Sequence, residues 1–183
     1  LAGDGLVIHA FEVAAATTER AGPQAAIRVV RELAEASGHP GMVGGQILDM
    51  HAQHHGVDRQ GLLAVHQAKT GALIRGSVRA GAIVGGASEP QLEALTGFGE
   101  RVGLVFQITD DILDARGTLA ALGKTPGKDR AEDKLTYVTL FGLAGARQRA
   151  ETAMADAREA LQPLGAAAGF FLALTEHTLD RQA

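Results

Sequence analysis

Apolar residues recur at the helical period along nearly the whole chain, and no segment sustains the apolar–polar alternation of a strand. That property leaves an all-α helical bundle, in which each helix buries one stripe against its neighbours. Glycine, proline and capping residues mark the boundaries. A first helix is expected over residues 4–16. Pro23 suits the first position of a second, which ends near Gly38. Residues 41–54 read as a third, rich in glycine. Asp58 is placed to cap a long fourth helix that reaches about Val84, ahead of Gly85 and Gly86. Ser88 and Pro90 open a fifth, carried by Phe98, Val102, Val105, Ile108, Ile112 and Leu113 and ending near Arg116 and Gly117.

From Gly117 to Lys134 the pattern stops. This stretch holds Gly123, Pro126 and Gly127 among Lys124, Lys128, Asp129, Asp133 and Lys134. A loop of that length in a compact domain is commonly functional. Helices are then expected over residues 137–143, 146–164 and 167–179. No linker divides the chain, so residues 1–183 read as a single domain. The chain opens with Leu1 in mid-pattern and reads as lacking an N-terminal part.

Hydrophobic residues make up 46% of the chain, enough for a core. The formal charge of -4 argues against a nucleic-acid partner, which a basic stripe would announce. Cysteine is absent, which excludes disulfides and thiolate metal sites and points to a reducing, cytoplasmic setting. The apolar stretch over residues 72–84 is broken by Arg75 and Arg79, so no stable membrane insertion is expected.

The chemistry centres on Asp110, Asp111 and Asp114. On a helix, Gln107, Asp111 and Asp114 share a face, and Asp110 stacks against Asp114 one turn away. Clustered carboxylates repel, and a cation relieves that repulsion. Mg²⁺ fits, because it takes hard oxygen ligands and bridges a few carboxylates to phosphate oxygens. The alternative is a solvated acidic face near a helix end. Lys69 lies mid-helix, followed by Thr70 and Gly71, a pair that can loosen the hydrogen-bond ladder. It either meets a phosphate or snorkels to the surface. Gly44 and Gly45 cost helix stability and imply close helix packing or close approach to a ligand. Gln46 and Asp49 lie on one face of that helix. His51 and His55 have the spacing that can hold zinc, but no third ligand converges with them, and with His54 they fit an exposed helix end. Lys124, Lys128 and Lys134 are either solvated or close over an anion as a lid does.

Taken together and in order, these stretches resemble the trans-isoprenyl diphosphate synthases of the bacterial farnesyl or geranylgeranyl diphosphate type. The resemblance rests on Leu1-Ala2-Gly3-Asp4, on Gly41-Met42 with Gly44-Gly45-Gln46-Ile47-Leu48-Asp49, and on Lys69-Thr70-Gly71-Ala72-Leu73-Ile74-Arg75. It continues through Gly103-Leu104, Phe106-Gln107-Ile108-Thr109-Asp110-Asp111-Ile112-Leu113-Asp114 and Leu122-Gly123-Lys124-Thr125. Lys134-Leu135-Thr136-Tyr137 and Gly142-Leu143 complete it. Val138 departs from the pattern, standing where many bacterial members have proline. The end of the chain, with Arg181, matches the family's basic tail only loosely.

The resemblance implies an all-α bundle around a central cavity and Mg²⁺-dependent transfer of an allylic prenyl group onto isopentenyl diphosphate. The expected product is a short-chain isoprenyl diphosphate, farnesyl or geranylgeranyl. It implies about three Mg²⁺ ions on the allylic diphosphate, held between two aspartate-rich motifs. Asp110, supported by Asp111 and Asp114, would be the second motif. Lys69, Lys124 and Lys134 would neutralise the diphosphate. Thr70 and Gln107 would face the developing cation, and Gln46 and Asp49 would line the cavity. A homodimer is implied, with the fourth and fifth helices as a candidate interface. The first aspartate-rich motif would lie before Leu1, so this chain alone is expected to be inactive. Two other readings share features with this one: a regulatory subunit of a heteromeric prenyl synthase, and a class I terpene cyclase. Intact Lys69, Thr70, Asp110, Asp111 and Asp114 argue against the first. The Lys-Thr pair and the Gly-Gly-Gln-x-x-Asp segment argue against the second.

Overall fold

Eight α-helices account for most of the described chain: α1 (Ala2–Ala16), α2 (Thr18–Ser37), α3 (Met42–His55), α4 (Arg59–His66), α5 (Ala72–Val84), α6 (Glu89–Leu122), α7 (Tyr137–Ala160) and α8 (Gly169–Leu179). A π-helical turn, Gln67–Gly71, joins α4 to α5, and a 3₁₀ segment, Gln162–Ala168, joins α7 to α8. They are drawn from a computed structural model that describes residues 1–122 and 135–179, and among these there is no strand. The all-α expectation holds.

Local chemistry sets most of the boundaries. Asp58 accepts a hydrogen bond from Gly61 N at 2.8 Å and opens α4 as an N-cap. Pro23 follows a break at Gly22 (φ 84°), so the long, regular part of α2 starts where proline favours it. The expected long fourth helix is α4 and α5 run together through the π turn. Two boundaries differ from expectation. α6 continues past Gly117 to Leu122, because the residues after that glycine are mostly good helix formers. The two helices expected over 137–164 are both present within α7, parted at Gly142 (φ 69°), and the second ends at Ala160.

α6 is the centre of the packing, flanked by α5 on one side and α7 on the other. Phe98, Val102, Val105 and Ile108 recur at helical spacing on its buried face. Opposite them α7 presents a stripe of small residues, Ala146, Ala150, Ala153 and Ala157, which lets the two backbones approach. Phe98 is fully buried and meets Phe171 of α8 edge-to-face at 5.2 Å between ring centroids. Burying a side chain of that size contributes about 2–3 kcal/mol. Arg79 of α5 is held by both oxygens of Glu32 of α2, at 2.8 and 2.6 Å, and reaches Thr96 Oγ1 on α6 at 2.6 Å. This fork-to-carboxylate geometry fixes three helices at one point. No described helix is long and apolar enough to cross a membrane.

Candidate active site

The π turn Gln67–Gly71 contains Lys69 and Thr70. A single π turn inside a long helix shifts the ladder from i+4 to i+5 pairing and is frequent at functional sites. The Thr70–Gly71 pair that signals a loosened ladder is therefore where the ladder changes.

Two glycine contacts bring other helices onto this turn. A Cβ at Gly45 would overlap the backbone of Ala68 and Lys69, so α3 lies backbone to backbone against the turn. A Cβ at Gly103 would come within 2.9 Å of Gly71 Cα, so α6 packs equally closely from another side. Gly45 thus serves close helix packing, whereas a Cβ at Gly44 would meet the His39 backbone in the turn before α3.

Asp49 on α3 is 6% exposed and forms an ion pair with Lys69, with 2.5 Å between Nζ and Oδ2. The ammonium is partly exposed while its partner is buried, so the charge is held in place without being withdrawn from solvent. Thr70 and Gln107 are half-buried, and Gln46 is exposed. Gln107 lies one turn beyond the Gly103 contact, and Asp110 lies about 10 Å beyond it along α6. Asp110 and Asp111 are half-buried; Asp114 is exposed. Lys124, Lys128, Asp129, Asp133, Lys134 and Arg181 lie outside the described residues.

The acid run has a second attachment that sequence reasoning missed. Asp111 Oδ2 accepts a hydrogen bond from Tyr137 N at 2.8 Å, across 26 residues of chain. Thr136 and Thr139 complete the start of α7 as a capping box. The Thr-x-x-Thr spacing signals that cap; nothing local signals the aspartate. Tyr137 is buried and stacks on buried His66 at 5.6 Å between ring centroids. Burial pushes its phenol up to about 12, Asp111 adds to the shift, and Arg59 and Arg149 oppose it.

Among the described residues, no group of three or more His, Cys, Asp or Glu side chains could hold a metal ion. His51 and His55 of α3 lie with ring centroids 4.4 Å apart on an exposed helix end. Asp110 and Asp114 offer hard carboxylate oxygens one helical turn apart on partly accessible positions. That donor set suits Mg²⁺, which takes one or two protein carboxylates and fills the rest of its shell with water and phosphate oxygens.

The sequence model of the polyprenyl synthetase family matches residues 1–164. Farnesyl diphosphate synthase of Escherichia coli (strain K12) is 43% identical over 166 residues, which cover 90% of this chain and 56% of that protein. The apo structure of an FPP/GFPP synthase from Zymomonas mobilis superposes with a TM-score of 0.82 at 31% identity, over 97% of this chain and 59% of that one. A geranyltransferase from Helicobacter pylori, in complex with magnesium and isoprenyl diphosphate, superposes with a TM-score of 0.74 at 28% identity, over 97% of this chain and 57% of that one. The chain spans about half the length of the curated relatives it matches. The fold, the match over residues 1–164 and these relatives agree: the chain belongs to the polyprenyl synthetase family.

Proposed function

We propose that the protein to which this chain belongs transfers an allylic prenyl group onto isopentenyl diphosphate, with Mg²⁺, to make a short-chain isoprenyl diphosphate. The observation that carries the reading is the Asp49–Lys69 ion pair, which holds an ammonium at the π turn against α3. The family match supports the same reaction class.

Asp110 is the principal metal ligand in this reading, with Asp114 and the second oxygen of Asp111 supporting it directly or through water. Bound Mg²⁺ would supply charge neutralisation for the departing diphosphate. Lys69 binds the same diphosphate as a point charge, sharing its ammonium with Asp49. Lys124 and Lys134 add positive charge from the sequence between α6 and α7. Thr70 and Gln107 turn oxygen dipoles toward the carbon that loses the leaving group, and Gln46 and Asp49 line the cavity wall. The apolar side chains flanking Gln107 exclude water, which would otherwise capture that carbon. The diphosphate, retained by these cations, is the base that takes the proton from the condensed product. The protein acts in the cytoplasm as a homodimer, which analytical ultracentrifugation tests.

Chromatography of products formed by the full-length protein from isopentenyl diphosphate and dimethylallyl or geranyl diphosphate tests the reaction. A chain-extended diphosphate that requires Mg²⁺ supports the reading; no product at saturating Mg²⁺ overturns it.

A further inference from the structure

A cleft between α4, α6 and α7 encloses a cavity of about 340 Å³. Neither Lys69, Thr70, Gln107 nor any of Asp110, Asp111 and Asp114 lines it. Its walls are apolar, with Leu62 and Leu63 on one side and Leu104, Ile108 and Leu140 on the others. Tyr137 also lines it; the residue is 4% exposed, and its hydroxyl has no hydrogen-bond partner among the described residues. A buried hydroxyl left unpaired is costly, and such groups are normally satisfied by protein, water or ligand.

Two cations stand at the same place. The Arg149 guanidinium lies 3.5 Å from the centroid of the Phe141 ring, and that of Arg59 lies 5.3 Å from it. Neither arginine is in an ion pair among the described residues. Asp156 and Thr152 share the lining, so two positive charges face one negative charge. The Tyr137 and Phe141 ring centroids lie 6.1 Å apart, which brings the phenol beside the ring that both guanidinium groups cover.

We infer that this cleft is a second binding site, for a small organic anion with an apolar body: the head lies between Arg59, Arg149 and the Tyr137 hydroxyl, and the body lies along the leucine walls. A volume of about 340 Å³ is within the range of small-molecule sites, and an apolar lining with a few convergent polar groups is their usual chemistry. A guanidinium is the group that takes a carboxylate or phosphate in a bidentate manner. The inference stands independently of the prenyl-transfer reading, since the two sites share no polar or charged residue assigned to that reaction.

Isothermal titration calorimetry on the full-length protein tests it, with 4-phenylbutyrate and phenyl phosphate as anionic probes and 4-phenylbutanol as the neutral control. One saturable site for at least one anion is expected, with the alcohol about tenfold weaker or more. Arg149→Gln weakens the anion about tenfold and leaves the alcohol unchanged. Tyr137→Phe, which removes a single oxygen and keeps the packed ring, weakens the anion severalfold. Saturating Mg²⁺ and inorganic diphosphate leave the binding intact. Tighter binding of phenyl phosphate assigns the site to phosphomonoesters, and tighter binding of 4-phenylbutyrate assigns it to carboxylates. Absence of a saturable anion site, equal affinity for the alcohol, insensitivity to both substitutions, or displacement by Mg²⁺ and diphosphate overturns the inference.

Discussion

Asp111 on α6 accepts the backbone N–H of Tyr137, the first residue of α7, at 2.8 Å. One carboxylate of the acid run therefore caps the next helix while its neighbours Asp110 and Asp114 are the proposed metal ligands. The three aspartates are not equivalent. Replacing Asp111 with alanine removes an N-terminal cap and should lower stability by about 1 kcal/mol. Asp111→Asn keeps an acceptor and should recover most of that loss. Urea denaturation of both variants measures the difference, and equal destabilisation would show that the cap contributes little.

Lys69 and Asp49 form a close ion pair in the site. Lys69→Met leaves a buried carboxylate without its cation and should destabilise the fold on the order of 1–3 kcal/mol. Asp49→Leu in the same chain removes the orphaned charge. The double variant should be more stable than Lys69→Met alone, yet equally inactive. A double-mutant cycle by thermal denaturation reads the coupling, and additive effects would count against the pair as a fixed element of the site.

Gly45→Ala should be poorly tolerated, because the new methyl group overlaps the backbone of Ala68 and Lys69. A cost on the order of 1–3 kcal/mol is expected from overpacking. Gly81→Ala is the control: nothing lies within 4 Å of a Cβ there. Similar melting temperatures for the two variants would mean that α3 does not lie against the π turn.

The Tyr137 phenol titrates near 12 in the folded chain, against an ordinary value of 10.0. Between those values the unfolded phenol has lost its proton and the folded one retains it. Stability linked to this group is therefore fully present below about pH 10 and declines as pH rises through about 12. The alkaline absorbance titration of the wild type minus that of Tyr137→Phe should show the late transition. A difference curve centred at the ordinary tyrosine value would contradict the burial described.

How far the sequence discloses this arrangement depends on how far apart the partners are. Asp58, Pro23 and the Thr70–Gly71 pair carry their meaning within one helical turn, and each marks a cap, a helix start or a loosened ladder where expected. The run of three aspartates is visible for the same reason. The Asp49–Lys69 pair spans 20 residues and the Asp111–Tyr137 bond spans 26, and no periodicity links such positions. Only the packing of α3 on the π turn and of α7 on α6 brings them together. α6 runs past Gly117, which reads as a stop, because a single glycine costs a helix only about 1 kcal/mol. The cleft beneath Arg59 and Arg149 draws on α4, α6 and α7 at once, so no local pattern signals it.

In the proposed reaction α6 carries the metal–diphosphate site at Asp110. The most direct measurement is the Mg²⁺-dependent rate of chain elongation by the full-length protein bearing Asp110→Ala, set beside Asp129→Ala. Asp110→Ala is expected to lower turnover by about a hundredfold or more, through lost charge stabilisation of the leaving diphosphate, while Asp129→Ala stays close to the wild-type rate. Equal rates for the two variants would contradict it.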